Sequence, residues 1–352
     1  MREAISTLFS LMTITMFGAL AETIFVQKSK ILPVDSGYPH ALFLHQDGSV
    51  FSSGINNEHG ELGRTISTNS ADRQPSRIPT LPKITSVSAS FAKHSLFLDA
   101  EYHVWSCGCN NKGQLGSGTS EFSVEPAKVQ LLPMISSITA GSRHSVFLAD
   151  DGTPWGCGNN NLGELGLADS LNRSTAEKIE NLPAIKEIYA GSMNSMFLAE
   201  DGSVWATGYN SEGELASAER QRVLKLARIE GLPKIKTIAL GWSHSLFLDF
   251  SGGVWACGSN ARAQLGLPCS TRQTTPTKVE IPEMQSIAAG AYHSLFIDDE
   301  NFLWACGCNK AKQLGLDTFG EEATGPQLVE NIPKVKVNNF TPITVKSARK
   351  VV

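Results

Sequence analysis

Lys93-His94-Ser95-Leu96-Phe97-Leu98-Asp99, a short turn, then Val104-Trp105-Ser106-Cys107-Gly108 and Cys109-Asn110-Asn111-Lys112-Gly113-Gln114-Leu115-Gly116 form the stretch from which the fold can be read. The two apolar runs are too short for helices, which need ten or more periodic residues. Their β-branched and aromatic content marks them as strands. In other copies of this pattern the turn between the runs holds Asp47-Gly48, Asp151-Gly152, Asp201-Gly202 or Gly252-Gly253. Such pairs supply the positive φ that a tight hairpin requires. A Gly-rich corner follows, then a third strand around Ala127–Gln130. Leu132-Pro133 breaks that strand, and Ile135–Ala140 enters the next copy as a fourth.

The pattern recurs along most of the chain. Trp105, Trp155, Trp205, Trp255 and Trp304 continue a series begun by Phe51, with spacings of 54, 50, 50, 50 and 49 residues. His40, His94, His144, Asn194, His244 and His293 keep the same period, as do the prolines at 82, 133, 183, 233, 282 and 333. Three markers in one register define six copies, at approximately 36–90, 91–140, 141–190, 191–240, 241–289 and 290–340. Four short antiparallel strands per copy predict an all-β protein, a β-propeller in which each sheet is a blade. A sheet with two apolar faces needs a neighbour on each, and closing the array into a ring covers them all. Alternation along the strand puts Trp105 and Cys107 on one face and Val104 and Ser106 on the other. The indole is therefore expected to fill the gap between blades, which would make Trp155→Ala cost about 3–5 kcal/mol.

Composition narrows the function. The 352 residues carry 30 Lys+Arg against 34 Asp+Glu, a net charge of −4, so the basic footprint of a nucleic-acid binder is missing and no such partner is expected. The 41% of hydrophobic residues is ample for a core, and 31 glycines point to many tight turns and away from coiled coils. Cys107, Cys157, Cys257 and Cys306 share one repeat position, too far apart to bridge, and read as small buried apolar groups. Cys-Gly-Cys at 107–109 and 306–308 lacks zinc spacing, so no metal and no cofactor is expected. The Asp-Gly pairs do not continue into a calcium loop, and the glycine corners lack a Gly-Lys-Ser/Thr ending. A histidine repeated at one structural position reads as a scaffold residue that hydrogen-bonds turn or corner backbone, since a catalytic base is ordinarily a single copy beside a nucleophile or carboxylate. No bond-making or bond-breaking site emerges. Asn172-Arg173-Ser174 and Asn339-Phe340-Thr341 are formal glycosylation sequons and carry little weight in so Asn-rich a chain.

The termini admit two readings. Thr13–Gly18 and Ile24–Pro33 resemble blade strands, as do Val335–Phe340 and Ile343–Ser347. Residues 1–35 and 334–352 are then expected to combine into a seventh, closing blade; six blades is the alternative. Residues 1–21 also read as a secretory signal ending in Ala19-Leu20-Ala21, and are too short and too interrupted for a membrane span.

The pattern Gly-x-x-His-Ser-Leu-Phe-Leu … Gly-x-x-Trp-x-Cys-Gly-x-Asn-x-x-Gly-x-Leu-Gly resembles the repeat of the regulator of chromosome condensation family, clearest at 91–140, 141–190 and 241–289 and extending over about residues 36–340. Asn194 departs from it at the histidine position, Ala216 at a corner glycine, and Ala263 and Lys312 where Gly113 stands in the second copy. The resemblance implies a seven-bladed propeller that regulates a small Ran-like GTPase by guanine-nucleotide exchange. Family exchange factors use an inserted β-wedge, for which copies of 49–54 residues leave little length. The alternative is a protein-protein interaction scaffold without exchange activity. Basic extensions that serve chromatin binding in the family have no match in residues 1–30, which hold only Arg2, Lys28 and Lys30.

What varies among copies points to the binding surface. The two residues before each motif His or Asn include Tyr38, Lys93, Arg143, Met193, Trp242 and Tyr292, types enriched at protein-binding hot spots and not demanded by the repeat. They are expected to ring the mouth of the central channel, with Glu58, Glu61, Glu164, Glu212 and Glu214 of the corners on the same face. The expectation is a monomer in cytoplasm or nucleus with a protein partner, or a secreted protein if residues 1–21 are cleaved.

Overall fold

The computed structural model describes residues 31–36, 40–54, 57–65, 74–90, 92–217, 219–268, 271–316 and 322–330. All regular elements among them are strands, gathered into six four-stranded antiparallel sheets, each running in simple sequence order. The first sheet holds β1 (Ile31–Ser36), β2 (His40–His45), β3 (Val50–Gly54) and β4 (Ser76–Arg77), and the second β5 (Ile84–Ala89), β6 (His94–Asp99), β7 (Val104–Gly108) and β8 (Ser123–Lys128). The third comprises β9 (Ile135–Ala140), β10 (His144–Ala149), β11 (Pro154–Gly158) and β12 (Arg173–Lys178). The fourth comprises β13 (Ile185–Ala190), β14 (Asn194–Ala199), β15 (Val204–Asn210) and β16 (Gln221–Arg228). The fifth is β17 (Ile235–Leu240), β18 (His244–Asp249), β19 (Val254–Ser259) and β20 (Arg272–Lys278). The sixth is β21 (Met284–Ala289), β22 (His293–Asp298), β23 (Leu303–Cys308) and β24 (Glu322–Leu328). Among the described residues, no helix is long and apolar enough to cross a membrane.

The chain divides into two compact units. One contains the first four sheets, except that Asn210–Gln221, including the last residue of β15 and the first of β16, belongs to the other; that second unit adds the fifth and sixth sheets. Residues 31–35, counted above with a closing blade, instead open the first sheet, where β1 pairs with β2 through Ser36 opposite Ala41. The remaining closing-blade segments, 1–30 and 334–352, and the signal reading of residues 1–21, lie outside the described residues.

Within each unit the core is laid down between consecutive sheets. Leu42, Leu44 and Val50 of the first sheet meet Ile84, Ala89, Phe97 and Cys107 of the second, with Trp105 at the margin. The opposite face of the second sheet, Leu96, Leu98 and Val104, meets Ile135, Ile138, Phe147 and Cys157 of the third. Val146 and Leu148 then meet Ile188 and Phe197 of the fourth. In the other unit, Leu246, Leu248 and Val254 of the fifth sheet meet Ile287, Phe296 and Cys306 of the sixth. Strand alternation therefore segregates Trp105 and Cys107 from Val104 as expected.

The packing role expected of tryptophan falls mainly to phenylalanine. Phe97, Phe147, Phe197, Phe247 and Phe296 are fully buried, and each lies directly across the sheet from a repeat tryptophan that is only half-buried. Phe43 likewise faces Phe51. The indole is held at the rim of the interlayer by its N–H. Trp105 Nε1 donates to Asp99 Oδ2 at 2.9 Å, Trp255 to Asp249 at 3.0 Å and Trp304 to Asp298 at 2.8 Å. In the third and fourth copies Ala149 and Ala199 replace the aspartate, and Trp155 and Trp205 keep a buried N–H without a partner.

Two outcomes follow for equilibrium denaturation. Phe147→Ala should cost about 3–5 kcal/mol, and Trp155→Ala clearly less, because part of its ring area is never removed from water. Ala149→Asp should restore the missing indole acceptor and stabilise the chain by about 1 kcal/mol.

Candidate functional site

The hairpin joining the first and second strand of each sheet carries the variable residues, and the repeat motif holds it in place. In Gly141-Ser142-Arg143-His144 the imidazole folds back over the glycine: a Cβ at Gly141 would stand 2.1 Å from His144 Cε1. The same clearance at Gly241 and His244 explains the glycine of the motif there. A second glycine, Gly108, has φ +107, and a Cβ on it would come within 2.4 Å of the Lys93 carbonyl oxygen. That carbonyl accepts the N–H of Cys109 at 2.6 Å, tying the hairpin to the corner.

The motif histidine does not bond the corner directly. A serine of the following copy stands between them. His94 Nε2 meets Ser145 Oγ at 3.0 Å, and Ser145 Oγ donates to the Gln114 carbonyl of the preceding corner at 2.7 Å. The chain repeats this with His40, Ser95 and Glu61, with His144, Ser195 and Glu164, and with Ser245 donating to Glu214. His244 joins Ser294, which donates to Gln264. Because the hydroxyl proton goes to the carbonyl, the serine accepts from Nε2–H, which fixes the histidine tautomer. Cys157, Cys257 and Cys306 aim their thiols at the same corner carbonyls, at 3.5, 3.4 and 3.6 Å. These thiols are fully buried, and burial pushes Cys157 and Cys306 up to about 12, so they remain protonated. Asn194 breaks the series, its Oδ1 lacking a partner among the described residues, and both ring nitrogens of His293 lack one too.

Burial lowers the histidines to about 4 for His40, His144 and His293 and about 3 for His94 and His244, so all five are neutral at physiological pH. They are walls of the fold and not proton carriers. Three of the glutamates expected on the rim are also structural. Glu61, Glu164 and Glu214 are buried in their corners, because each side chain turns inward to accept a backbone N–H from two residues earlier, at 3.0, 2.9 and 2.9 Å. Of the remainder, Glu58 is exposed and Glu212 half-buried.

The variable hairpin residues are disposed unevenly. In the larger unit Lys93 is half-buried and ion-paired with Glu58 at 3.0 Å; that pairing raises the ammonium and lowers the carboxyl from their ordinary values. Arg143 is exposed and Met193 half-buried, and the Ser142 and Ser192 hydroxyls join their two hairpins at 3.1 Å. In the other unit Trp242 and Tyr292, from adjacent hairpins, stand 46% and 43% exposed with ring centroids 5.5 Å apart and planes inclined by 31°. Tyr38 lies outside the described residues. The structure thus brings together Trp242 with Tyr292, and Lys93 with Glu58. The serine of the latch was missed in the sequence, although its signal is there: Ser95, Ser145, Ser195, Ser245 and Ser294 follow the motif position in five copies, and Ala41 in the first.

Comparison with known proteins agrees with this geometry. The Regulator of chromosome condensation (RCC1) repeat matches residues 47–98, 103–148 and 251–297, and a second profile of the same repeat matches 135–164, 235–264 and 284–313. A human RCC1-like G exchanging factor-like protein is 32% identical over 106 residues, 29% of this chain and 23% of that relative. The guanine nucleotide exchange factor SRM1 of Saccharomyces cerevisiae is 36% identical over 110 residues, 30% of this chain and 22% of that relative. The aligned stretch therefore spans about a quarter of these curated relatives' length. The crystal structure of Prp20p from Saccharomyces cerevisiae, a protein described with its binding properties to Gsp1p and histones, superposes with a TM-score of 0.77 at 25% identity, covering 86% of this chain and 78% of that one.

The latch is testable by mutation and by pH. Ser145→Ala leaves the His94 N–H buried and unpaired and the Gln114 carbonyl with only the weak Cys157 thiol donor, and should cost about 1–3 kcal/mol in urea denaturation. The histidines sit below their ordinary value in the folded state, so the unfolded chain takes up their protons first. Their contribution is complete above pH 6.5 and lost as pH falls toward about 4, at up to about 1.4 kcal/mol per histidine per pH unit. The urea midpoint should drop steeply between about pH 7 and pH 5.

Proposed function

The chain belongs to the regulator of chromosome condensation (RCC1) repeat family and has its β-propeller fold, and on that footing we propose that it is a protein-binding propeller that regulates a small Ran-like GTPase as a guanine-nucleotide exchange factor. The observation that carries this reading is the exposed Trp242–Tyr292 pair, on adjacent hairpins of which the first is held by the His244–Ser294 contact. Two large rings in mutual contact and partly in water, at positions whose residue type the repeat does not dictate, suit the anchors of a protein interface. The names of the relatives point the same way. Exchange needs no acid, base or metal: a face that binds the nucleotide-free GTPase more tightly than the loaded form lowers nucleotide affinity by that same ratio.

A second reading, docking without exchange, is favoured by one feature. Among the described residues every sheet has four strands, and no additional strand pair projects as a wedge. The reading places the chain in cytoplasm or nucleus as a monomer. Its free cysteines at 107, 109, 157, 257, 306 and 308 fit a reducing compartment.

The discriminating experiment follows release of a fluorescent guanine nucleotide from a Ran-like GTPase. Acceleration of at least about tenfold, abolished by Trp242→Ala with Tyr292→Ala while the melting temperature is kept, is the expected result. Binding without acceleration would select the docking reading, and no binding at all would overturn both.

A further inference from the structure

The corner side chain alternates between two residue types among the copies: Glu61, Gln114, Glu164, Glu214, Gln264 and Gln313. In all six its Oε accepts the backbone N–H of the residue two before it, as with Gln114 from Lys112 at 2.9 Å, Gln264 from Arg262 at 2.8 Å and Gln313 from Ala311 at 2.9 Å. The other terminal atom is an amide donor in the glutamine copies and a second oxygen in the glutamate copies. At Glu61 and Glu214, both wholly buried, that second oxygen, Oε1, has no hydrogen-bond partner among the described residues. A buried carboxylate with an orphan oxygen is costly, whereas a carboxylic acid places a donor where glutamine has one.

We propose that Glu214 is a proton-operated latch beneath the Trp242 hairpin: protonated, it holds the corner as glutamine does in other copies, and on ionisation it loosens the corner and the hairpin resting on it. The corner touches the hairpin directly. The Glu214 carbonyl accepts Ser245 Oγ at 2.7 Å and Cys257 Sγ at 3.4 Å, and a Cβ on Gly258 would meet Glu214 Cα at 3.3 Å. The next N–H, of Ser259, donates to the carbonyl of Ser243, the residue after Trp242, at 2.7 Å.

The surrounding groups favour the neutral acid. Glu212 of the same corner adds negative charge, and burial is the larger influence; together they raise Glu214 to about 7. From β18 and β19 come Ser245 and Cys257, both neutral, and from β20 Arg272, which donates to the Ser211 carbonyl at 3.4 Å. Burial raises Glu164 as well, opposed by the Asn159 amide that donates to its Oε1, and Glu61 lies within the attraction of the Lys93 ammonium, so the device is strongest at Glu214. The folded-state value lies above the unfolded one, so this contribution to stability is complete below about pH 4.5 and lost as pH rises through about 7.

The regulatory meaning rests on the Trp242–Tyr292 face being the binding surface, but the test does not. Glutamate side-chain carbonyls of the full chain, carbon-13 labelled, are titrated by NMR from about pH 5 to pH 9, in the wild type and in Glu214→Gln. Amide exchange of Ser259 is followed in parallel. The expected result is one resonance with a midpoint near pH 7 that vanishes in Glu214→Gln. Ser259 protection, corrected for intrinsic exchange, should fall about tenfold above that midpoint in the wild type and stay level in the variant. Glutamates that all titrate below about pH 5.5, or Ser259 protection equal in the two proteins at every pH, would overturn the latch. Neither readout involves a GTPase, so failure of the exchange reading leaves this result intact and the reverse holds too.

Discussion

A serine hydroxyl shared between consecutive copies is the contact on which the rest of the site depends. It has one proton to give, and gives it to a corner carbonyl of the copy before. That leaves its lone pairs for the Nε2–H of the motif histidine, so one small group settles the tautomer of the ring, the position of the corner and the spacing of the two sheets. All three partners are buried, and the penalty for leaving any of them unpaired is what makes the arrangement rigid. Where the histidine is latched, as at His94, His144 and His244, the variable residue one or two positions before it takes its placement from the latch. Arg143 and Trp242 can differ from copy to copy because nothing in the latch uses their side chains.

The apolar layers follow a similar division of labour. Phenylalanine seals the space between sheets, and the tryptophan opposite it covers the rim, with its N–H given to an aspartate where one is present. An indole has a polar edge that must be either solvated or paired, which keeps it from the centre of a dry layer; a phenyl ring has no such demand. Copies with Ala149 and Ala199 keep the half-buried tryptophan without that acceptor, so there its seat rests on ring packing.

Buried ionisable groups act on this frame in opposite directions. The histidines need to be neutral and are stabilising at higher pH, while Glu214 needs its proton and is stabilising at lower pH. Both are consequences of burial, and both groups bear on the same hairpins.

Period, strand content, the segregation of Trp105 and Cys107 from Val104, and the repeat family were all legible in the chain, because each depends on spacing along the strand and on local turn chemistry. The hairpin residues were legible as a set, since variation at fixed positions of a repeat needs no coordinates. What the tertiary structure decided was which atoms meet across copies. Glu61, Glu164 and Glu214 read as rim charges until their side chains were seen turned inward onto backbone N–H groups, and the histidine read as a partner of turn or corner backbone until a serine some fifty residues on was found between the ring and the corner. Lys93 is held by Glu58 while Trp242 leans on Tyr292, a distinction that residue type cannot make. Local sequence specifies what each copy can form alone; hydrogen bonds and ring contacts between copies depend on distances that exist only once the sheets have packed.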